Sequence, residues 1–220
     1  MKLLLTSAGF EKNQRIGKIF LKLVDKDPSR IRIFLVTVVK KNNKSWRWVK
    51  LIVKQLEKIG INPKNIIIFS LDRKVKESDL KDIDVIYVCG GNTFVYLDKI
   101  RKTGLDKIIK RFVKKGKIYF GVSAGSYVVC PTIEMSTWKP MNTNTIGLKD
   151  LTGLGLVHFW LVAHFKKEYS LVIKKAAEVT KYPIIALRDN QAVLVNGEKV
   201  KIIGSGKKTV FNLSNKFNVV

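Results

Sequence analysis

The sequence predicts an α/β protein in which one doubly wound, mostly parallel sheet carries helices on both faces and turns sharply from strand to helix at a nucleophile elbow. Three observations predict it. Short apolar runs alternate with amphipathic segments of helical length from residue 3 to residue 120, the βα rhythm of a parallel sheet. Several of these runs, Ile31–Val38, Val85–Val88 and Ile118–Phe120 among them, are apolar almost throughout, as strands buried on both faces are. Finally, Gly121-Val122-Ser123-Ala124-Gly125 lies between an apolar strand-like run and an apolar stretch, the context in which a Gly-x-Ser-x-Gly serine is presented on a tight turn.

Each element follows in order. Leu3–Thr6 reads as the first strand and Gln14–Val24 as a helix, followed by a strand over Ile31–Val38. The next helix, Ser45–Ile59, gathers Trp46, Val49, Ile52, Val53, Leu56 and Ile59 on one side, the stripe a surface helix turns toward the core. Strands over Ile66–Phe69 and Val85–Val88 come next, then helices over Thr93–Arg101 and Leu105–Lys114, then the strand Ile118–Phe120. After Ser123 the pattern changes. Pro131–Gly147 is polar, rich in Asn and Thr and without helical period, which predicts a long loop of the kind that carries function. A helix over Lys166–Thr180 and strands at Ile184–Leu187, Ala192–Val195, Val200–Ile203 and Thr209–Leu213 complete the chain, with Asn196-Gly197 as a hairpin signal. No repeat or linker divides residues 1–220, so a single domain is expected.

Composition narrows the class. The 220 residues are 46% hydrophobic, and no apolar run approaches the length of a membrane span. Lys2–Thr6 is too short for a signal-peptide core, so a membrane partner is not expected. Cys89 and Cys130 show neither zinc spacing nor a disulfide framework, which suits a reducing cytoplasm. No metal-ligand constellation is visible, so no cofactor is expected. The 42 Lys and Arg against 17 Asp and Glu give a net charge of +25. Such a field attracts polyanions and acidic substrates. The lysines are spread over every predicted helix, and no nucleic-acid-binding signature accompanies them, so nucleic acid is not the favoured partner. Oligomeric state is left open, a homodimer included.

The chemistry centres on Ser123. Glycines on either side of it let neighbouring backbone approach a serine held at strained angles, and the Ala124 N–H that follows is the natural donor to a developing oxyanion. A second glycine pair, Gly90-Gly91-Asn92-Thr93-Phe94, ends the strand Val85–Val88 at the same sheet edge, making the Gly91 N–H the second candidate donor. Asn92 or Thr93 would cap the helix that follows. A serine hydroxyl also needs a general base. Of the two histidines, His164 stands just before a helix where it could project toward the sheet edge, whereas His158 reads as a packed or partly exposed strand residue.

The segment from Ile86 to Glu134, with Gly-Gly-Asn-Thr-Phe and Gly-x-Ser-Ala-Gly, and Ala163-His164-Phe165 further on, resemble the peptidase E-like serine peptidases, the family of aspartyl dipeptidases and cyanophycinases. The family fold is similar to that of class I glutamine amidotransferases, whose nucleophile is cysteine. The resemblance implies that Ser123 attacks a peptide carbonyl, that His164 is general base and then acid, that Gly91 and Ala124 form the oxyanion hole, and that substrates are short peptides beginning with Asp.

The resemblance also implies an acid in the loop between nucleophile and histidine, and this sequence departs from it. Trp138-Lys139-Pro140-Met141-Asn142 holds no carboxylate. Glu134 or Asp150 could reach the imidazole from elsewhere in the loop, or Asn142 or Asn144 could orient it as a neutral acceptor. Asp189, at the end of a strand, could face the cleft or cap a turn, and Arg188 beside it reads as surface. The expectation is a serine exopeptidase with an atypical or missing third residue. Its alternatives are an impaired member that binds acidic ligands or nucleic acid, and an esterase working on the same elbow.

Overall fold

A computed structural model describes residues 1–10, 12–138 and 142–212. Its strands are β1 (Lys2–Thr6), β2 (Ile33–Thr37), β3 (Ile66–Ser70), β4 (Val85–Val88), β5 (Ile118–Val122), β6 (Trp160–Val162), β7 (Ile184–Ala186), β8 (Gln191–Asn196), β9 (Lys199–Gly204) and β10 (Thr209–Phe211). Its helices are α1 (Gln14–Val24), α2 (Trp46–Lys58), α3 (Thr93–Thr103), α4 (Leu105–Lys114), the single turn α5 (Ala124–Tyr127) and α6 (Ser170–Val179). The α/β class and the mostly parallel sheet are as expected. Thr209–Leu213 is realised as β10, with Leu213 outside the described residues.

The central sheet has seven strands in the order β3-β2-β4-β5-β1-β8-β9. Its first five strands are mutually parallel, while β8 runs antiparallel to β1 and β9 antiparallel to β8. Leu3, Leu4 and Leu5 are all fully buried, as is every residue of β4. Successive strand residues point to opposite faces, so both faces of the sheet centre are covered. The hairpin between β8 and β9 closes where predicted, Asn196 pairing with Lys199 across Gly197 at φ +62°.

One feature of the topology was not expected. Ile184–Leu187 and Thr209–Leu213 do not extend the central sheet but form a second, three-stranded sheet, β10-β7-β6. Its third strand, β6, is only three residues long, too short to show a period. His158 is corrected as well: it is exposed in a bend ahead of β6 and not within a strand.

This arrangement puts the carboxyl ends of β4, β5 and β1 side by side, the edge where open parallel sheets collect ligands. Beneath that edge the packing is aromatic. Phe120 stacks on Tyr87 at 4.5 Å between ring centroids and meets Phe10 and Phe20 edge-on at 5.0 and 5.3 Å. Each such ring contributes about 1.5–3 kcal/mol by leaving water, so the floor under the corner is a rigid one.

Candidate active site

Ser123 follows β5 directly and has φ +48° and ψ −106°, outside the regions a serine ordinarily occupies. The surroundings hold it there. Its N–H donates to the Thr6 carbonyl at 3.0 Å. The buried Ser126 hydroxyl lies 2.9 Å from the carbonyls of both Thr6 and Gly121, and the Tyr119 hydroxyl donates to the Gly125 carbonyl at 2.6 Å. The need for glycine is steric. A Cβ on Gly125 would stand 2.3 Å from the Val88 carbonyl oxygen, and one on Gly121 would stand 2.6 Å from that of Gly125. The expected helix after the serine is only the four-residue α5.

The glycine turn after β4 lies against this corner, a Cβ built on Gly90 coming within 3.5 Å of the Ser123 Cβ. Gly91 has φ +154°, and a Cβ there would press on the Tyr96 ring at 2.9 Å. Among the described residues, the N–H groups of Gly91 and Ala124 have no hydrogen-bond acceptor. Asn92 is the cap of α3, its side chain accepting from the N–H groups of Phe94 and Val95.

His164 comes from the small sheet. It follows β6 and is flanked by two bridges to the β7 side, Leu187 N–H to the Val162 carbonyl and Phe165 N–H to the Leu187 carbonyl, both 2.8 Å. Its backbone is left-handed, φ +54°. In that conformation Nε2 lies 3.0 Å from the Ser123 Oγ and Nδ1 lies 2.5 Å from Oδ1 of Asp189. Asp189 occupies the turn that joins β7 to β8. The turn is closed by Gln191 N–H donating to the Arg188 carbonyl at 2.9 Å and by Arg188 N–H donating to the Gln191 side chain at 3.0 Å. The Asp189 carboxyl is held below the usual carboxylate range by its hydrogen bond to His164, with smaller help from the His164 charge, Ser7 and Lys12, against a partial burial that opposes ionisation.

Ser7, fully buried one residue beyond β1, touches both members of that pair. Its hydroxyl donates to Asp189 Oδ1 at 2.9 Å and accepts from the backbone N–H of His164 at 2.7 Å.

The carboxylate on the imidazole is therefore not one of the loop candidates. Glu134 is exposed at the start of a 3₁₀ turn. Asn142 instead accepts from the Thr93 N–H at 3.2 Å, beside the cap of α3. Asp150 pairs with Arg101 at 3.1 Å, and the Asn144 side chain accepts from the Leu148 N–H. Residues 139–141 of the loop lie outside the described residues. Arg188 is exposed, as read. Asp189 had a visible signal in its place at a strand end, but nothing local separated turn capping from the cleft; its carboxylate faces the cleft, and Gln191 closes the turn. Ser7 had no signal beyond its position after a strand.

Known peptidases resemble this chain in sequence and fold. Residues 3–203 match the family model described as peptidase family S51. An uncharacterised peptidase of Pasteurella multocida is 33% identical over 127 residues, 56% of this chain and 61% of its own length. An uncharacterised peptidase of Listeria monocytogenes is 30% identical over 153 residues, 67% of this chain and 73% of its own. The crystal structure of a peptidase E candidate from Listeria monocytogenes superposes with a TM-score of 0.72 at 25% identity, covering 93% of this chain and 98% of that one.

Proposed function

Since this chain belongs to peptidase family S51, we propose that it is a serine peptidase in which Ser123 is the nucleophile, His164 the general base and then acid, and Asp189 the group that orients it. The observation that carries this reading is the relay of two contacts through one ring, 3.0 Å from His164 Nε2 to Ser123 and 2.5 Å from Nδ1 to Asp189. An ionised Asp189 accepts a hydrogen bond from Nδ1–H and stays ionised, which fixes the tautomer whose bare Nε2 can take the proton of the Ser123 hydroxyl. As that proton moves to Nε2, Oγ bonds to the substrate carbonyl carbon and the carbonyl electron pair moves to oxygen. The Gly91 and Ala124 N–H groups donate to that oxygen. His164 then gives its proton to the leaving amine as the C–N bond breaks, and a water repeats the cycle on the acyl-enzyme.

Short peptides with an N-terminal Asp are the substrate class this reading takes. The likeness to a peptidase E candidate and the net charge of +25, which draws acidic substrates toward the protein, support it. The impaired, binding alternative had two motives, the absence of a carboxylate from the loop and the charge of +25; Asp189 at the imidazole weakens the first and leaves the second.

The test is turnover of Asp-Xaa dipeptides by the wild type beside Ser123→Ala. A loss of about 10⁶-fold in kcat is expected, the scale seen when a triad serine is removed. Equal rates for the two proteins would overturn the proposal.

A further inference from the structure

The carboxyl end of β1 reaches both halves of the site through adjacent residues. Thr6 serves the nucleophile corner: its carbonyl accepts from the Ser123 N–H at 3.0 Å and from the Ser126 hydroxyl at 2.9 Å, and its own hydroxyl donates to the Gly121 carbonyl at 2.9 Å. Ser7 serves the other corner. We infer that Ser7 is a positioning residue of the peptidase site, holding the His164 backbone in its left-handed conformation and fixing the Asp189 oxygen that Nδ1 meets. The inference rests on the reading of Ser123, His164 and Asp189 as a catalytic array.

The hydrogen bonds divide its work. A histidine at φ +54° is in a sparsely populated region and persists only where its surroundings determine it. The bond from the His164 N–H to Ser7 Oγ, at 2.7 Å, ties this peptide to the end of β1, while its Ala163 carbonyl accepts from the Tyr127 hydroxyl at 3.4 Å. Relaxation of that backbone would swing the ring away from Ser123. The Ser7 hydroxyl hydrogen goes to Asp189 Oδ1 at 2.9 Å, the same oxygen that stands 2.5 Å from Nδ1. Ser7 lies 3.5 Å from Nδ1, so it sits beside that contact and not within it. One small hydroxyl thus acts as donor to the acid and acceptor from the base's own backbone, which only serine or threonine can do in this space. Ser7 is fully buried, so an alanine there puts no polar group in the space between the His164 N–H and the Asp189 carboxylate.

Ser7→Ala and Ser7→Thr test this, with two readouts. In Asp-Xaa dipeptide turnover, Ser7→Ala is expected to lower kcat about 10- to 100-fold, the equivalent of one lost hydrogen bond to a charged group, with KM within about twofold of wild type. Ser7→Thr, which keeps the hydroxyl, is expected to recover most of the loss. In proton NMR, the downfield resonance of the His164 Nδ1–H is expected to shift or broaden in Ser7→Ala and to return in Ser7→Thr. An unchanged kcat with an unmoved resonance in Ser7→Ala would overturn the inference, as would a fall in kcat accompanied by an equal loss of thermal stability with the resonance intact. The resonance is read without substrate. Failure of the wild type to cleave dipeptides would therefore count against the peptidase reading alone, and the resonance would still decide the role of Ser7.

Discussion

The two corners of the site are held by different physics. The nucleophile corner is steric: Ser123 keeps its angles because β4, β5 and the turn after the serine approach so closely that side chains at Gly121 and Gly125 would overlap backbone carbonyls. The acid–base corner is polar and more open. The side chains of His164 and Asp189 are 25% and 47% exposed, and what fixes them is a chain of hydrogen bonds through Ser7 and a four-residue turn. A steric corner fails by refusing to assemble, whereas a hydrogen-bonded corner fails by losing orientation while the fold survives. Stability and activity should therefore separate between the two.

The largest effect on the fold should come from Gly125→Ala, which would break the steric corner. Its methyl has no room beside the Val88 carbonyl, 2.3 Å away, and backbone on both sides must move. Overpacking of this kind costs about 1–3 kcal/mol, so activity and melting temperature are expected to fall together. A protein of native melting temperature would show that the strands have more freedom here than the contacts imply.

Asp189→Asn tests the polar corner and should give the opposite signature. The fold is expected to persist, because the side chain is half exposed in a turn closed by Gln191. Loss of the charge and of the correct tautomer is expected to lower kcat by about 10⁴, as loss of the orienting acid does in a serine protease. Circular dichroism beside dipeptide turnover separates the two; an active Asp189→Asn enzyme would move the orienting role elsewhere.

The smallest effect is in stability against pH. The Asp189 carboxyl titrates lower in the folded protein than in the unfolded chain, chiefly through His164. Its contribution is fully present above the unfolded value, about 4, and is lost as pH falls through the lower folded value. The stability gap between wild type and Asp189→Asn should narrow as pH falls below about 4. Denaturant melts at a series of pH values would record it; a gap that widened over that acid range would contradict the direction of the shift.

How legible each corner was follows the same division. Gly121, Gly125 and the Gly90-Gly91 pair announced themselves because the residues whose backbones must come close are short-range neighbours of strand ends, and glycine is what such approaches require. The helices at Gln14–Val24 and Leu105–Lys114 were readable to the residue from their apolar stripes. By contrast β6 showed only as a strand-like setting placed too early, around His158, since three residues carry no period, and the second sheet it belongs to was not visible. The loop candidates Glu134 and Asn142 were sought between serine and histidine, while the carboxylate that reaches the ring lies 25 residues beyond the histidine.

The sequence by itself determined the βα rhythm, the sharp turn at Ser123 and the choice of His164 over His158, because each depends on residue size, polarity and spacing within a short stretch of chain. Tertiary structure alone decided which carboxylate faces Nδ1 and that Ser7 bonds to both the acid and the backbone of the base. Those contacts join residues 25 and 157 positions apart, and they arise from how the small sheet docks beside the carboxyl end of β1. A hydrogen bond across such a junction depends on the relative placement of two packed bodies, which no local pattern of residues encodes.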